Sequence, residues 1–311
     1  MTKEHFLWVE KYRPQTVNET ILPPELKTIF QTFVDTNVIP NLLLVGGPGM
    51  GKTTIAKAMC NELKADYIVI NGSMKGNIDT LRNDILNFAS TMSLFGGRKY
   101  VILDEADYLN AQSTQPALRN FMEEFSTNCG FILTANYLNK IIEPLHSRCS
   151  VVEFKFLKKD VPEIAGQLMK RIIMILEEEE LVYEKPVVAQ LISTYFPDFR
   201  RVINELQRYS AHGKIDTGIL AFVKGARIDP LLEMIKQKNF SEARLWLSQN
   251  IDNSTEFFRT FYESGKNVKP SVAPALVLLI AKYQYQDGFV ANKEINMAAF
   301  VAELMLESLF D

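Results

Sequence analysis

Gly46-Gly47-Pro48-Gly49-Met50-Gly51-Lys52-Thr53 is the stretch on which the reading of this chain turns. It satisfies G-x-x-x-x-G-K-[ST] at every position, and it sits where such a loop must sit. The apolar run Asn41-Leu42-Leu43-Leu44-Val45 precedes it and reads as a buried strand of a parallel sheet. From Lys52 to about Leu63, the residues Ile55, Ala56, Met59 and Leu63 share one helical face. Glycines let successive backbone N–H groups turn inward around a phosphate, and the start of the helix adds positive potential. Lys52 then reaches the β- and γ-phosphates, and the Thr53 hydroxyl holds Mg²⁺. Gly49, Met50, Gly51 and Thr54 complete the expected nucleotide-binding loop.

Working outward, Tyr100-Val101-Ile102-Leu103-Asp104-Glu105 is an apolar strand ending in two carboxylates. Both therefore lie at the carboxyl edge of the sheet, beside the phosphate loop. Asp104 is expected to orient Mg²⁺ through its water shell, and Glu105 to polarise the attacking water. That division suits phosphoryl transfer, which depends on positioning and charge neutralisation. A further strand over 130–134 ends at Thr134-Ala135-Asn136. If it lies between the two strands already named, Asn136 faces the γ-phosphate and can hydrogen-bond it or the attacking water. The string Asp104-Glu105-Ala106-Asp107 also spells the tag of one helicase class. Those enzymes need a Ser-Ala-Thr segment and a second, strand-rich motor domain, and neither is visible here.

The remaining first half alternates strand and helix. Strands are expected over 67–70 and 150–154, and helices over about 80–90 and 113–125, which makes a parallel five-stranded sheet with helices on both faces. The pattern changes near residue 156. Beyond Lys159 only helical periodicities are legible: about 157–180, 186–195 and 198–211, then at least four more segments after Asp229-Pro230. The acidic run Glu177-Glu178-Glu179-Glu180 reads as a solvated helix end. The expected division is a nucleotide-binding domain over 1–156, a helical lid over 157–226 and an all-helical domain over 227–311.

Length agrees: 311 residues at ~150 per domain give about two domains, with three possible if some are small. The charge sum, 34 basic against 37 acidic residues, is −3. A chain coated in basic charge is thus excluded, whereas a local basic strip is not. The three cysteines, Cys60, Cys129 and Cys149, are too few and too scattered for a disulfide framework or a four-ligand zinc site, which suggests a reducing compartment. The apolar run from Val272 to Ala281 falls short of the ~20 residues that span a bilayer. With no apolar signal core at the N-terminus, a soluble cytoplasmic protein is expected.

With these residues in place the chain resembles the AAA+ ATPases, and among them the sliding-clamp loaders of replication factor C type. Trp8-Val9-Glu10-Lys11-Tyr12-Arg13-Pro14 is similar to that family's N-terminal box. The resemblance implies that Val9, Glu10, Lys11 and Tyr12, with Ile21, frame the adenine of ATP. Ser147-Arg148-Cys149 looks like the tripeptide that supplies an arginine finger to the neighbouring subunit's ATP. Phe196-Pro197-Asp198-Phe199-Arg200-Arg201 resembles the second sensor on the lid, where Arg200 reaches the phosphates of its own nucleotide and Arg201 is an equally basic neighbour. Gln115 to Glu123 is similar to the helix after the Asp-Glu strand. The resemblance covers residues 6 to about 210, and length and a compact N-terminus point to the phage branch of the family.

The family further implies a hetero-oligomeric assembly, a ring-shaped sliding clamp and primer–template DNA as partners, no membrane, and the cytoplasm (the host's, for a phage chain). Lys75, Asn77 and Arg82 are then the DNA-facing candidates, tracking phosphates without reading bases. Arg98, Lys99 and Arg119 are the other basic residues nearby. One turn apart on their helix, Gln115 and Arg119 are placed to link a DNA-facing surface to Glu105. Two rivals stand: another AAA+ DNA motor or initiator, such as a branch-migration helicase, and a nucleotide-holding scaffold without turnover. An initiator calls for a basic recognition helix after residue 230, which is not seen, and Glu105, Asn136 and Arg148 argue against a scaffold.

Overall fold

A computed structural model describes residues 6–73, 78–93, 97–223, 228–251, 254–264 and 272–307. The chain forms two compact units, Met1–Ile219 and Leu220–Asp311.

The first unit opens with a short helix α1 (Trp8–Lys11) and α2 (Pro24–Asp35). The sheet and its helices follow: β1 (Leu42–Gly46), α3 (Lys52–Glu62), β2 (Tyr67–Asn71), α4 (Ile78–Ala89), β3 (Lys99–Asp104), α5 (Thr114–Glu124), β4 (Cys129–Ala135), α6 (Glu143–His146) and β5 (Ser150–Phe154). All strand pairs are parallel, in the order β2-β3-β4-β1-β5. Leu42 of β1 pairs with Ile132 of β4 and Ser150 of β5, and Ile102 of β3 pairs with Ile132. So β4 lies between the phosphate-loop strand and the Asp-Glu strand, which puts its tip at the centre of the carboxyl edge.

Period-2 alternation decides which residue serves which layer. Leu43, Val45, Val101, Leu103, Phe131 and Leu133 pack on one face with Ile85 of α4 and Leu118, Phe121 and Met122 of α5. Leu42, Leu44, Tyr100, Ile102 and Ile132 pack on the other with Phe30 and Val34 of α2 and Ile55, Ala56, Met59 and Cys60 of α3. Both faces of the central strands are buried, so their sequences are continuous apolar runs. All three cysteines are buried and unpaired, and burial pushes their thiols up, to about 12 for Cys60 and Cys149 and about 11 for Cys129.

Helices α7 (Val161–Glu178), α8 (Lys185–Tyr195) and α9 (Phe199–Ser210) complete the first unit. Along α7, Ile164, Leu168, Ile172 and Ile175 recur on one buried stripe. One expectation fails in this region. Two strands of two residues each, β6 (Val182–Tyr183) and β7 (Lys214–Ile215), pair in parallel beyond Lys159. Strands this short carry no period to read. The acidic run at the end of α7 is likewise more than solvated charge, since Glu179 accepts hydrogen bonds from Lys11 Nζ at 2.7 Å and Tyr12 Oη at 2.6 Å.

The division between the units falls within α10 (Gly218–Val223). The second unit holds α11 (Asp229–Lys236), α12 (Phe240–Asn250), α13 (Ser254–Ser264), α14 (Ala273–Asp287) and α15 (Lys293–Leu306). Its core is aromatic. Phe300 of α15 lies edge-on to Phe257, Phe258, Phe261 and Tyr283, with ring centroids 5.1–5.8 Å away. Each such pair adds roughly 0.5–1.5 kcal/mol to ordinary burial. Among the described residues no helix is long and apolar enough to cross a membrane.

Candidate nucleotide site and its edge network

The phosphate loop joins β1 to α3, and its shape follows from its glycines. Gly51 has φ +91° and Gly49 φ +72°, conformations that other residues adopt at a cost. Open space surrounds the Gly51 position, whereas a Cβ on Gly49 would fall 1.8 Å from Asp198 Oδ1. The Gly49 carbonyl also accepts a hydrogen bond from the Phe199 N–H at the start of α9, at 3.2 Å. The loop is therefore seated directly on the helix that carries Arg200.

Lys52 begins α3 and is buried. Its Nζ donates to the carbonyls of Gly46 and Gly47, both at 2.7 Å, and to Asn136 Oδ1 at 3.0 Å. All three acceptors are neutral, and among the described residues no carboxylate lies within ion-pair distance. Burial lowers its pKa from 10.5 to about 8, against the raising fields of Asp104 and Asp107. A buried ammonium without a counter-charge is costly alone and well matched to a phosphate.

At the tips of β3 and β4 the side chains interlock. Thr53 Oγ1 donates to Asp104 Oδ1 at 2.5 Å, and Thr134 Oγ1 donates to the same oxygen at 2.6 Å. Thr134 Oγ1 in turn accepts from the Glu105 N–H at 3.1 Å. That bond helps hold Glu105 at φ +56°, a strained backbone for a non-glycine residue. Thr134 was missed as a site residue. Its signal is a lone hydroxyl ending the apolar run of β4, two residues before Asn136.

Val9, Tyr12, Ile21, Gly49, Met50, Gly51, Lys52, Thr53, Thr54 and Arg200 line one cavity. Glu10 and Asp104 line an adjoining one, with Val9, Thr53 and Arg200 common to both. Lys11 lines neither, because its ammonium is turned to Glu179. Two arginines missed as site residues join the first cavity. Arg13, within the N-terminal box, donates to Thr54 Oγ1 at 3.0 Å, and Arg171 projects from α7. Geometry also separates the neighbouring arginines of the lid. Arg201 lies over the Tyr195 ring at 4.4 Å, while Arg200 faces the cavities.

Arg148 is not among the residues lining either cavity. It sits between α6 and β5, with Nε donating to Glu123 Oε1 at 2.9 Å, Nη2 to the same oxygen, and Nη1 to the Pro144 carbonyl at 3.0 Å. Gln115 is buried, and none of its hydrogen bonds goes to Glu105. Its Nε2 donates to the carbonyls of Leu109 and Lys140 at 3.0 and 2.9 Å, and its Oε1 accepts from the Ile142 N–H at 2.9 Å. It staples the turn after Glu105 to the segment after Asn136. Of the expected basic residues, Arg82 is exposed on α4 and Arg119 is exposed beside Glu123. Lys99 is buried, donating to the Phe88 carbonyl and Thr91, and Arg98 donates to the carbonyls of Ser126 and Cys129. Lys75 and Asn77 lie outside the described residues.

A strand–loop–helix with its Lys-Thr pair, an Asp-Glu tip beside it and an asparagine tip between them make up the candidate site. Residues 42–157 match the ATPase family associated with various cellular activities (AAA), and residues 160–221 match the AAA+ ATPase lid domain of the sliding-clamp-loader large subunit. Over 98% of its length the chain is 36% identical to the sliding-clamp-loader large subunit of Enterobacteria phage T4, covering 97% of that protein. The chain belongs to the sliding-clamp-loader family of AAA+ ATPases. The corresponding subunit of Escherichia phage RB69 is 39% identical over 78% of this chain and 77% of that protein. A replication factor C small subunit of Archaeoglobus fulgidus is 34% identical over 96% and 97%. Among solved structures, a Thermotoga maritima RuvB Holliday junction branch migration motor covers 72% of this chain and 79% of its own at a TM-score of 0.55 and 19% identity, which shows the shared fold alone. As a clamp-loader ATPase of DNA replication, the chain binds nucleotide and hydrolyses ATP.

Proposed function

We propose that this chain is the subunit whose ATP cycle opens a ring-shaped clamp and sets it on primer–template DNA, with each ATP completed by the neighbouring subunit's Arg148. One observation carries this reading: Arg148 stands outside its own chain's pocket, held by Glu123 and Pro144. The pocket contains Lys52, Arg200, Arg13 and Arg171 but not Arg148, so whatever charge Arg148 brings to a transition state it brings to a pocket other than its own.

The residues present fit ATP and Mg²⁺. The uncompensated Lys52 ammonium, the Gly49 and Gly51 turns and the start of α3 form an anion cradle. The hydroxyl of Thr53 and the carboxylate of Asp104, already in contact, are hard oxygen groups that would hold Mg²⁺, Asp104 through the ion's water shell. When bound, the ion neutralises charge on the β- and γ-phosphates. Glu105 orients the attacking water, Asn136 reports the γ-phosphate to the sheet edge, and Arg200 brings the lid to the nucleotide. The adenine lies among Val9, Tyr12 and Ile21. We assign 1–156 to the nucleotide domain, 157–226 to the lid and 227–311 to a collar that holds several copies and a different subunit together in the cytoplasm. Lys75, Asn77 and Arg82 are assigned to the DNA-facing surface, where phosphate contacts from several copies sum.

The decisive experiment measures ATP turnover of the native assembly with and without sliding clamp and primed DNA, for wild type and Arg148→Ala. Stimulation by both ligands is expected. The variant should lose ~10³-fold in turnover while each chain still binds ATP. Full turnover by the isolated chain, indifferent to Arg148→Ala, would overturn the reading. Strand unwinding without clamp stimulation would move the chain to the branch-migration class.

A further inference from the structure

Asp107 is a buried carboxylate for which the site described so far has no use. It lies in the 3₁₀ turn Ala106–Tyr108 and is 6% exposed. Its Oδ2 accepts one hydrogen bond, from the Asn136 N–H at 3.2 Å, and its Oδ1 is buried with no partner among the described residues. A buried carboxyl group with hydrogen-bond partners on one side only is costly. A purely architectural staple is not needed there. Gln115 already ties the same two segments through Leu109, Lys140 and Ile142, and Thr134 ties the tips of β3 and β4.

What Asp107 alone reaches is the backbone of the residue whose side chain meets Lys52. The relay is short: Asp107 Oδ2 to the Asn136 N–H, then Asn136 Oδ1 to Lys52 Nζ at 3.0 Å. Asn136 follows the last residue of β4, beyond the sheet's own hydrogen bonds, so nothing in the ladder sets its orientation. Glu105 shares the element, since it immediately precedes the turn that carries Asp107. We propose that Asp107 is the positioning residue for Asn136, fixing the peptide at the tip of β4 so that the asparagine amide faces Lys52 and the γ-phosphate end of the pocket. This rests on Asn136 acting at the γ-phosphate or the attacking water.

The acceptor oxygen, not the charge, does the positioning. Asp107→Asn keeps an acceptor and should retain turnover within ~threefold, whereas Asp107→Leu removes it and should lower turnover ~tenfold, as one well-placed hydrogen bond is worth. Binding of a fluorescent ATP analogue should change little in either. The test is a double-mutant cycle with Asn136→Ala, measured as single-turnover hydrolysis by the native assembly with clamp and primed DNA. If Asp107 works through Asn136, adding Asp107→Leu to Asn136→Ala costs nothing further. Independent losses that multiply, or Asp107→Asn as impaired as Asp107→Leu, would overturn the proposal. Should Asp107→Leu not fold, Asp107→Ala, which leaves room for water, runs the same cycle. A harmless Asn136→Ala would instead discredit the role given to Asn136, a separate failure.

Discussion

Each unit of this chain buries a small polar cluster, and the two clusters are built on opposite principles. In the second unit Ser254 Oγ donates to Asp287 Oδ2 at 2.6 Å, and Asn296 Nδ2 donates to the Tyr283 carbonyl at 3.0 Å and to Asp287 Oδ1 at 3.4 Å. These three side chains close on one another between α13, α14 and α15, and Lys293 lies 3.4 Å from Asp287. Among the described residues none of its side-chain atoms is left buried without a partner, and it ties the three helices together. At the sheet edge of the first unit, capacity is left over. Among the described residues Lys52 has acceptors but no carboxylate within ion-pair distance, Asp107 Oδ1 has no partner, and Glu105 is strained. Saturated polar groups in a core are architecture, whereas unsaturated ones at the tips of parallel strands mark where a ligand must arrive.

Breaking each cluster separates these roles. Lys52→Met should give the largest effect, a fall in ATP turnover on the order of 10²–10³. Its thermal unfolding midpoint should not fall, because the variant no longer buries an uncompensated ammonium. Loss of activity together with loss of fold would erase the distinction. Asn296→Leu should do the reverse. It removes the hydrogen bonds to the Tyr283 carbonyl and Asp287 Oδ1 and should cost ~1–3 kcal/mol in a denaturant titration, with ATP affinity unchanged.

The smallest expected effect is one of pH. Burial holds the pKa of the Lys52 ammonium at about 8, against 10.5 ordinarily. The folded chain therefore releases this proton before the unfolded chain does, so the cost of burying the charge is fully present below about pH 8 and is relieved as pH rises toward 10.5. A bound phosphate favours the charged form and draws the proton back. ATP affinity should be level up to about pH 8 and then fall by at most ~tenfold per pH unit, with proton uptake visible by calorimetry in two buffers of different ionisation heat. The same affinity at pH 7 and pH 9.5 would mean that Lys52 is not the group that meets the phosphate.

Much of the first unit was legible because its elements are punctuated. A glycine loop opens α3, an Asp-Glu pair ends the β3 run, and continuous apolar runs mark strands buried on both faces. What escaped were groups whose role depends on what lies across the edge. Thr134 and Asp107 each look like an ordinary strand end or turn residue until β4 is inserted between β1 and β3. Lys99 and Arg98 look like surface cations until their carbonyl partners are seen. The linkage of Glu179 to Lys11 and Tyr12 spans more than 160 residues of sequence, and no local pattern carries it.

From its residues alone the chain declared a phosphate loop, an Asp-Glu edge and a run of helices after them, because glycine freedom, strand period and helix period are local properties. Tertiary structure alone decided the partners: that Arg200 and not Arg201 faces the pocket, that Arg148 turns away from it, and that a buried aspartate holds the backbone of Asn136. Hydrogen bonds and charges act over a few ångströms of space irrespective of separation along the chain, and only folding sets those distances.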